Sequence, residues 1–185
     1  MVEVRALEID GLYEIRPGKF GDERGFFSES WSRRMLQDAG ITIDFVQDNH
    51  SHSVSAGVLR GLHFQLEPAA QDKLIRVGRG RIFDVVVDIR PGSRTYRQWL
   101  GIELSAALWN QLLIPKGFAH GFLTLEPDCE VLYKASAPYD PALERAIRFD
   151  DPDLAIDWPI EAADLTLSDR DRAAPVLADL AHELS

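Results

Sequence analysis

Two stretches of the chain place basic and imidazole groups inside runs that otherwise have the apolar pattern of buried strands. Residues 58–65 read VLRGLHFQ and carry Arg60 and His63, and residues 114–122 read IPKGFAHGF and carry His120. An unpaired cation or imidazole that is stripped of water costs several kcal/mol. The pattern therefore favours side chains that a ligand partners or that take part in chemistry.

The three-residue spacing of Arg60 and His63 does not by itself place both side chains on one face of a strand. Side chains alternate along a regular strand, so Arg60 and His63 should lie on opposite faces of the sheet. Gly61 lies between them, and a glycine inside a strand often marks a β-bulge. A bulge at Gly61 would bring both side chains to the same face.

A set of four polar residues on the predicted strands could transfer protons. If His63, Lys73, His120 and Tyr133 converge in an apolar barrel, they supply a base, a cation that stabilises an enolate, and an acid. Each also has a structural alternative. Tyr133 could be a core residue with a satisfied hydroxyl, Lys73 a solvated edge residue, and His120 a residue that holds a turn.

The second stretch resembles the second sequence signature of cupins, in which Pro-x-Gly-x-x-His turns the chain between two barrel strands. Cupins that bind a metal also carry His-x-His in their first signature. The corresponding residues here are His63, Phe64 and Gln65. Because an imidazole and an amide are a poor ligand set for a transition metal, we predict no metal and no other cofactor.

The surrounding patterns predict many short strands and two short helices. Residues 73–77 and 82–89 alternate around the turn GRG at 78–80, which predicts a hairpin. Further strands are expected near 99–104, 111–114, 121–125 and 130–135. A helix is expected over 28–39 and a looser one from Ser168, interrupted by Pro175, while 138–158 has the pattern of an irregular covering segment. The fold class predicted is all-β, as a sandwich or barrel with short flanking helices.

Composition limits the class of protein. The chain has 185 residues, a net charge of -10 and one cysteine, Cys129. We expect a single domain over residues 1–185. The acidic balance argues against nucleic acid or an anionic membrane as partner, and the opening residues lack the pattern of a signal peptide. With one cysteine, these features predict a cytoplasmic protein.

Blocks spaced along nearly the whole chain resemble the dTDP-4-dehydrorhamnose 3,5-epimerase family. They are DERGFF at 22–27, QDN at 47–49, GVLRGLHFQ at 57–65, QDK at 71–73, FDVVVDIR at 83–90, IPKGFAHGF at 114–122, LYK at 132–134, DDPDLAIDWP at 150–159 and LSDRD at 167–171. The resemblance implies a metal-free cupin jelly-roll barrel, a homodimer, and a substrate in which a 4-keto-6-deoxyhexose is linked to thymidine diphosphate.

The resemblance also implies roles for individual residues. His63 matches the base and Asp171 the carboxylate that orients it. Lys73 matches the residue that faces the oxyanion at carbon 4, and Tyr133 matches the acid. The alternative for Asp171 is a capping box with Ser168. Residues expected along the substrate are Arg24, Phe27, Glu29, Gln47, Asp48, Asn49, Arg60, Lys73, His120, Glu144 and Arg170.

Three other functions remain open from the sequence. An epimerase that inverts carbon 3 alone would share the same proton-transfer residues. A metal-dependent cupin would be indicated by bound metal. A cupin that only binds sugar nucleotides would bind without exchanging substrate protons with solvent.

Overall fold

The computed structural model describes residues 2–184, and eleven of its strands form two facing antiparallel sheets. Its strands are β1 Glu3–Ala6, β2 Tyr13–Arg16, β3 Phe20–Asp22, β4 Gly25–Phe27, β5 Gln47–Ser53, β6 Leu59–Gln65, β7 Lys73–Arg79, β8 Arg81–Asp88, β9 Trp99–Ser105, β10 Gln111–Ile114, β11 Phe118–Thr124, β12 Cys129–Ala135 and β13 Glu144–Ala146. The short strands predicted after residue 99 are confirmed, with small shifts at their ends.

The strands alternate between the two sheets in the manner of a jelly roll. One sheet has the order β1-β2-β10-β7-β12-β5, the other β13-β6-β11-β8-β9, and β3 pairs with β4 in a separate hairpin. From β5 to β8 each successive strand crosses to the opposite sheet. The all-β jelly-roll prediction is confirmed.

The predicted hairpin between β7 and β8 is wrong. β7 pairs with β10 and β12, whereas β8 pairs with β9 and β11. Gly80, at φ +79°, lies where the chain passes from one sheet to the other. Two alternating strands joined by a glycine turn can either pair or diverge, and the pattern alone does not distinguish these outcomes.

The main core fills the space between the sheets. Ile75 and Val77 of β7 face Ile82 and Val86 of β8 in one buried cluster, with Leu112 from β10. Tyr133 packs at the edge of this cluster. The barrel is thus filled by apolar side chains over part of its length, which leaves polar groups to occupy the rest.

Both outer faces of the sandwich are covered. Leu36 and Ile41 pack on the outside of the six-stranded sheet, and Leu154 and Leu177 pack on the five-stranded one. Residues 138–158 therefore belong in part to the core, because Ile147 is fully buried and β13 extends the sheet. Their prediction as a covering segment outside the core is wrong to that extent.

The helices are short and lie outside the barrel. They are α1 Arg33–Asp38, α2 Asp169–Arg172 and α3 Leu177–Leu180. The predicted start of α1 at Ser28 is wrong. Ser32 is the N-cap, whereas the Ser28 hydroxyl donates to the carbonyl of Gly18, 2.8 Å away, and accepts from the Trp109 indole. Among residues 2–184, no helix is long and apolar enough to cross a membrane.

Candidate active site

A cavity of about 490 Å³ opens at the polar end of the barrel. Strands from both sheets and helix α2 contribute to its wall, so residues far apart in sequence converge there. Of the predicted site residues, the wall contains Gln47, Asn49, Arg60, His63, Lys73, His120, Tyr133, Glu144, Arg170 and Asp171.

A bulge in β6 brings Arg60 and His63 to the same cavity. His63 is opposite His120 and Arg60 is opposite Phe122, so a three-residue step on β6 matches a two-residue step on β11. Gly61 supplies the extra residue at φ +119°, a backbone conformation that glycine adopts readily. The bulge hypothesis is confirmed.

Arg60 lies at the rim of the cavity and is exposed, so the expectation that it is buried within its strand is wrong. Its guanidinium donates to the hydroxyl of Ser53 at 3.4 Å and to the carbonyl of His52 at 3.3 Å. Neither partner carries charge. The positive charge therefore remains available to an anion at the mouth of the cavity.

His63 and Asp171 form a short imidazole–carboxylate pair. Nε2 of His63 lies 2.6 Å from Oδ1 of Asp171, and the two side chains are 29% and 5% exposed. Burial acts to raise the pKa of Asp171, but the hydrogen bond and charge of His63, with help from Ser168, hold that pKa below its ordinary value. An ionised carboxylate only accepts, so Nε2 carries a proton, and the tautomer of a neutral His63 that fits this contact has its lone pair on Nδ1.

Asp171 contacts both the Ser168 cap and the His63 imidazole. The backbone N–H of Asp171 donates to the hydroxyl of Ser168 at 3.1 Å, which is the cap of helix α2. Its carboxylate accepts from the same hydroxyl at 2.9 Å and from His63. The cap fixes the end of the helix that presents the carboxylate to the imidazole.

A second imidazole–carboxylate pair lies directly across the strand pair. Nε2 of His120 is 3.0 Å from a carboxylate oxygen of Asp84, which is fully buried. Asp84 was not among the predicted site residues. The sequence feature that could have indicated Asp84 is an acidic residue within the apolar run of β8, on the face opposite Phe83 and Val85.

Lys73 and Tyr133 complete the polar wall. Nζ of Lys73 lies 3.5 Å from the carbonyl oxygen of His63. Burial lowers the pKa of Lys73 to about 8, against the opposing effect of the Asp84 and Glu144 carboxylates. Burial also raises the pKa of Tyr133, and the charge of Glu144 adds to this effect. The phenol therefore keeps its proton at neutral pH.

Glu144 joins two groups at the mouth of the cavity. Its Oε2 accepts from the Tyr139 hydroxyl at 2.6 Å and from Arg170 at 2.6 Å. Burial acts to raise the pKa of Glu144, but these two bonds and the charges of Arg170 and His63 hold it below its ordinary value. Tyr139, which is 51% exposed, was not among the predicted residues.

Four predicted substrate residues do not line this cavity in their own chain. Arg24, Phe27 and Glu29 lie in and just after the exposed β3–β4 hairpin. Asp48 alternates with the inward residues of β5, so it points to the other face of the sheet, where Lys134 lies 3.0 Å away. These four residues therefore lie outside the cavity of their own chain, and their place along the substrate stays a prediction.

The cavity offers few groups that could hold a metal. His63 and His120 each use Nε2 to bind a carboxylate. Within residues 2–184, no three His, Cys, Asp or Glu side chains converge as metal ligands. Whether the protein needs a metal stays a prediction that measurement must test.

Comparisons with known proteins agree with this architecture. A family model described as dTDP-4-dehydrorhamnose 3,5-epimerase matches residues 6–179. A relative of that name from Methanothermobacter thermautotrophicus is 49% identical, covering 93% of this chain and 94% of the relative.

Two solved structures are similar over nearly the whole chain. The Bacillus anthracis dTDP-4-dehydrorhamnose 3,5-epimerase with TDP and PPi bound is 46% identical at a TM-score of 0.92, covering 95% of this chain and 99% of that one. The Legionella pneumophila dTDP-6-deoxy-D-glucose-3,5-epimerase in complex with dTDP-4-keto-L-rhamnose is 46% identical at 0.91, covering 96% and 94%. The chain therefore belongs to the dTDP-4-dehydrorhamnose 3,5-epimerase family, whose members are isomerases.

Proposed function

We propose that this protein epimerises carbons 3 and 5 of dTDP-4-dehydro-6-deoxy-D-glucose to give dTDP-4-dehydro-L-rhamnose, in the biosynthesis of dTDP-L-rhamnose. The observation that carries the proposal is the His63–Asp171 pair, which shares one cavity with Lys73 and Tyr133. These are the groups that proton removal and return beside a ketone require.

The chemistry follows from the ketone at carbon 4. Protons on carbons 3 and 5 are acidified by that ketone, and the imidazole of His63 removes each one to give an enolate. The Asp171 carboxylate stabilises the imidazolium that forms. Lys73 faces the developing negative charge on the oxygen of carbon 4. Tyr133 then returns a proton to the opposite face of the sugar, which inverts the carbon.

The nucleotide is bound at the mouth of the cavity. Arg60 is the cation available to the diphosphate, and its planar guanidinium suits phosphate oxygens. The exposed ring of Tyr139 lies nearby, as part of the same wall. Aromatic faces stack on nucleobases with little dependence on the base, so Tyr139 is the platform for thymine.

We propose a homodimer, in which the β3–β4 hairpin reaches the cavity of the partner subunit. Phe20 is 63% and Phe27 is 72% exposed on this hairpin, beside the exposed Arg24. The family resemblance assigns Arg24, Phe27 and Glu29 to the substrate, yet none lines the cavity of its own chain. A second copy reconciles the two observations.

A complementation experiment tests this arrangement. Arg24→Ala and His63→Asn are each expected to reduce turnover strongly as homodimers. When the two variants are mixed and allowed to exchange subunits, one site of each hybrid recovers both native residues and activity returns. Chromatography with light scattering must also give twice the mass of the chain. A monomer, or no recovery in hybrids that have formed, would contradict the proposal.

The reaction itself is tested by trapping its product. The protein is incubated with dTDP-4-dehydro-6-deoxy-D-glucose, an NADPH-dependent ketoreductase is added, and the reduced sugar is identified by NMR. We expect L-rhamnose from the wild type and none from His63→Asn. Treatment with a chelator should leave the rate unchanged, and loss of activity that added metal restores would instead indicate a metal-dependent enzyme.

Two further assignments accompany this function. We propose that residues 1–185 form one domain, because a single family model matches residues 6–179. We also propose a cytoplasmic location, in line with the free, buried thiol of Cys129. Immunodetection after cell fractionation tests the location.

A further inference from the structure

The segment that carries Tyr139 is bound by the side chain of Gln65. Nε2 of Gln65 donates to the carbonyl of Pro138 at 3.1 Å, and its Oε1 accepts from the backbone N–H of Asp140 at 2.7 Å. Nε2 also donates to the carbonyl of Ala69 at 2.6 Å. One buried amide therefore holds the peptide groups on both sides of Tyr139 and has both ends bonded.

Two further glutamines bind the same segment. Oε1 of Gln47 accepts from the backbone N–H of Tyr139 at 2.9 Å, and its Nε2 donates to Asn49 at 2.9 Å. Nε2 of Gln71 donates to the carbonyl of Ala137 at 2.8 Å. We name Gln47, Gln65 and Gln71 the glutamine cradle. Four consecutive residues, 137–140, each contribute a backbone group to it.

The cradle fixes a residue whose own side chain is half exposed. An aromatic residue on a loop must be ordered when it stacks on a ligand, and ordering such a side chain has a free-energy cost that lowers the affinity. A backbone held at four successive residues removes part of that cost before the ligand arrives. The hydroxyl of Tyr139 is also bonded, to Glu144.

We infer that the glutamine cradle positions Tyr139 as a preformed platform for the nucleobase, with Gln65 and Gln71 as positioning residues that act through Tyr139. The inference rests on the proposed function, because it requires a nucleotide at the mouth of the cavity. It predicts that cradle variants weaken recognition of the base and leave recognition of the diphosphate unchanged.

A double-mutant cycle separates this role from a general structural one. Gln65→Met is close in length but lacks the amide. We expect it to weaken dTDP binding about 3- to 10-fold, raising KM with little change in kcat. The dissociation constant of inorganic pyrophosphate should not change. In a Tyr139→Ala background, Gln65→Met should cause no further loss of dTDP affinity.

Two further variants test the inference even if Gln65→Met unfolds. Gln71→Met removes a single hydrogen bond at a less buried position and should show the same pattern with a smaller change. Gln37→Met, on the exposed face of α1, makes the same substitution away from the cavity and should change nothing.

The results of these binding measurements distinguish a failure of the glutamine cradle from a failure of the proposed function. If wild type binds dTDP but both cradle variants bind it as tightly, or lose pyrophosphate and dTDP affinity equally, the cradle does not position the base platform. Full additivity with Tyr139→Ala would also overturn the inference. If wild type itself fails to bind dTDP, the proposed function falls and the inference falls with it.

Discussion

Replacing Asp171 with Asn removes one charge from the His63–Asp171 pair and keeps its shape. We expect turnover to fall and the fold to persist, because asparagine is close in size and the Ser168 cap of α2 remains. An asparagine that turns its amide nitrogen toward Nε2 would also favour the wrong tautomer of His63. In either case the imidazole becomes a weaker base.

The size of the effect follows from the geometry of the pair. His63 and Asp171 are in hydrogen-bond contact, at 2.6 Å, with Asp171 buried. Two unit charges about 4 Å apart attract by about 4 kcal/mol at an effective dielectric constant of about 20. Losing half of that attraction in the transition state predicts a roughly 30-fold fall in kcat, and losing all of it predicts a fall of about 1,000-fold.

Steady-state kinetics with the ketoreductase-coupled assay measures this fall, and thermal denaturation checks the fold. Asp169→Asn is the matched control, because Asp169 lies in the same helix and is exposed. It should retain normal kcat. Normal turnover by Asp171→Asn would refute the orienting role and leave Asp171 as a cap alone, while an unfolded variant would make the residue structural.

Other substitutions test the remaining parts of the site. Tyr133→Phe should abolish epimerisation while His63 still exchanges substrate protons with solvent, and full epimerisation measured by NMR would refute its role as acid. Because the pKa of Lys73 is about 8, its ammonium is lost as the pH rises through that value, so kcat/KM of wild type should fall above about pH 8. A pH profile of Lys73→Arg that keeps the same fall would assign it to another group. Gly61→Ala would place a Cβ 2.5 Å from Cα of Gly121 at φ +119°, and we expect a loss of at least about 2 kcal/mol in denaturant unfolding; unchanged stability would contradict this account of the bulge.

Local pattern predicted the β-rich architecture and the bulge, because both depend on neighbours in sequence. Alternation along β6 and the glycine at position 61 were enough to place Arg60 and His63 on one face. The strands that pair with β7 could not be predicted from the local sequence pattern. Whether Gly80 closes a hairpin or leads to the other sheet depends on burial between sheets, which is a property of the whole chain.

The carboxylate partners show a similar limit. Asp171 was found through the family resemblance, and only the structure shows that it lies against His63, 108 residues earlier in the chain, as well as in the cap of α2. Asp84 was missed because its partner His120 is 36 residues away. Asp48 points outward, as strand alternation predicts, whereas the block match gave one expectation for all three residues of Gln47–Asn49 without regard to face.

The measurement that tests the central claim most directly is proton NMR of the protein with dTDP-4-dehydro-6-deoxy-D-glucose in heavy water. The proposed mechanism predicts solvent deuterium at carbon 3 and at carbon 5, and an L-rhamno configuration once the product is trapped by reduction. Deuterium and inversion at carbon 3 alone would make the protein a single epimerase. No deuterium at either carbon would contradict proton transfer by His63 and Tyr133.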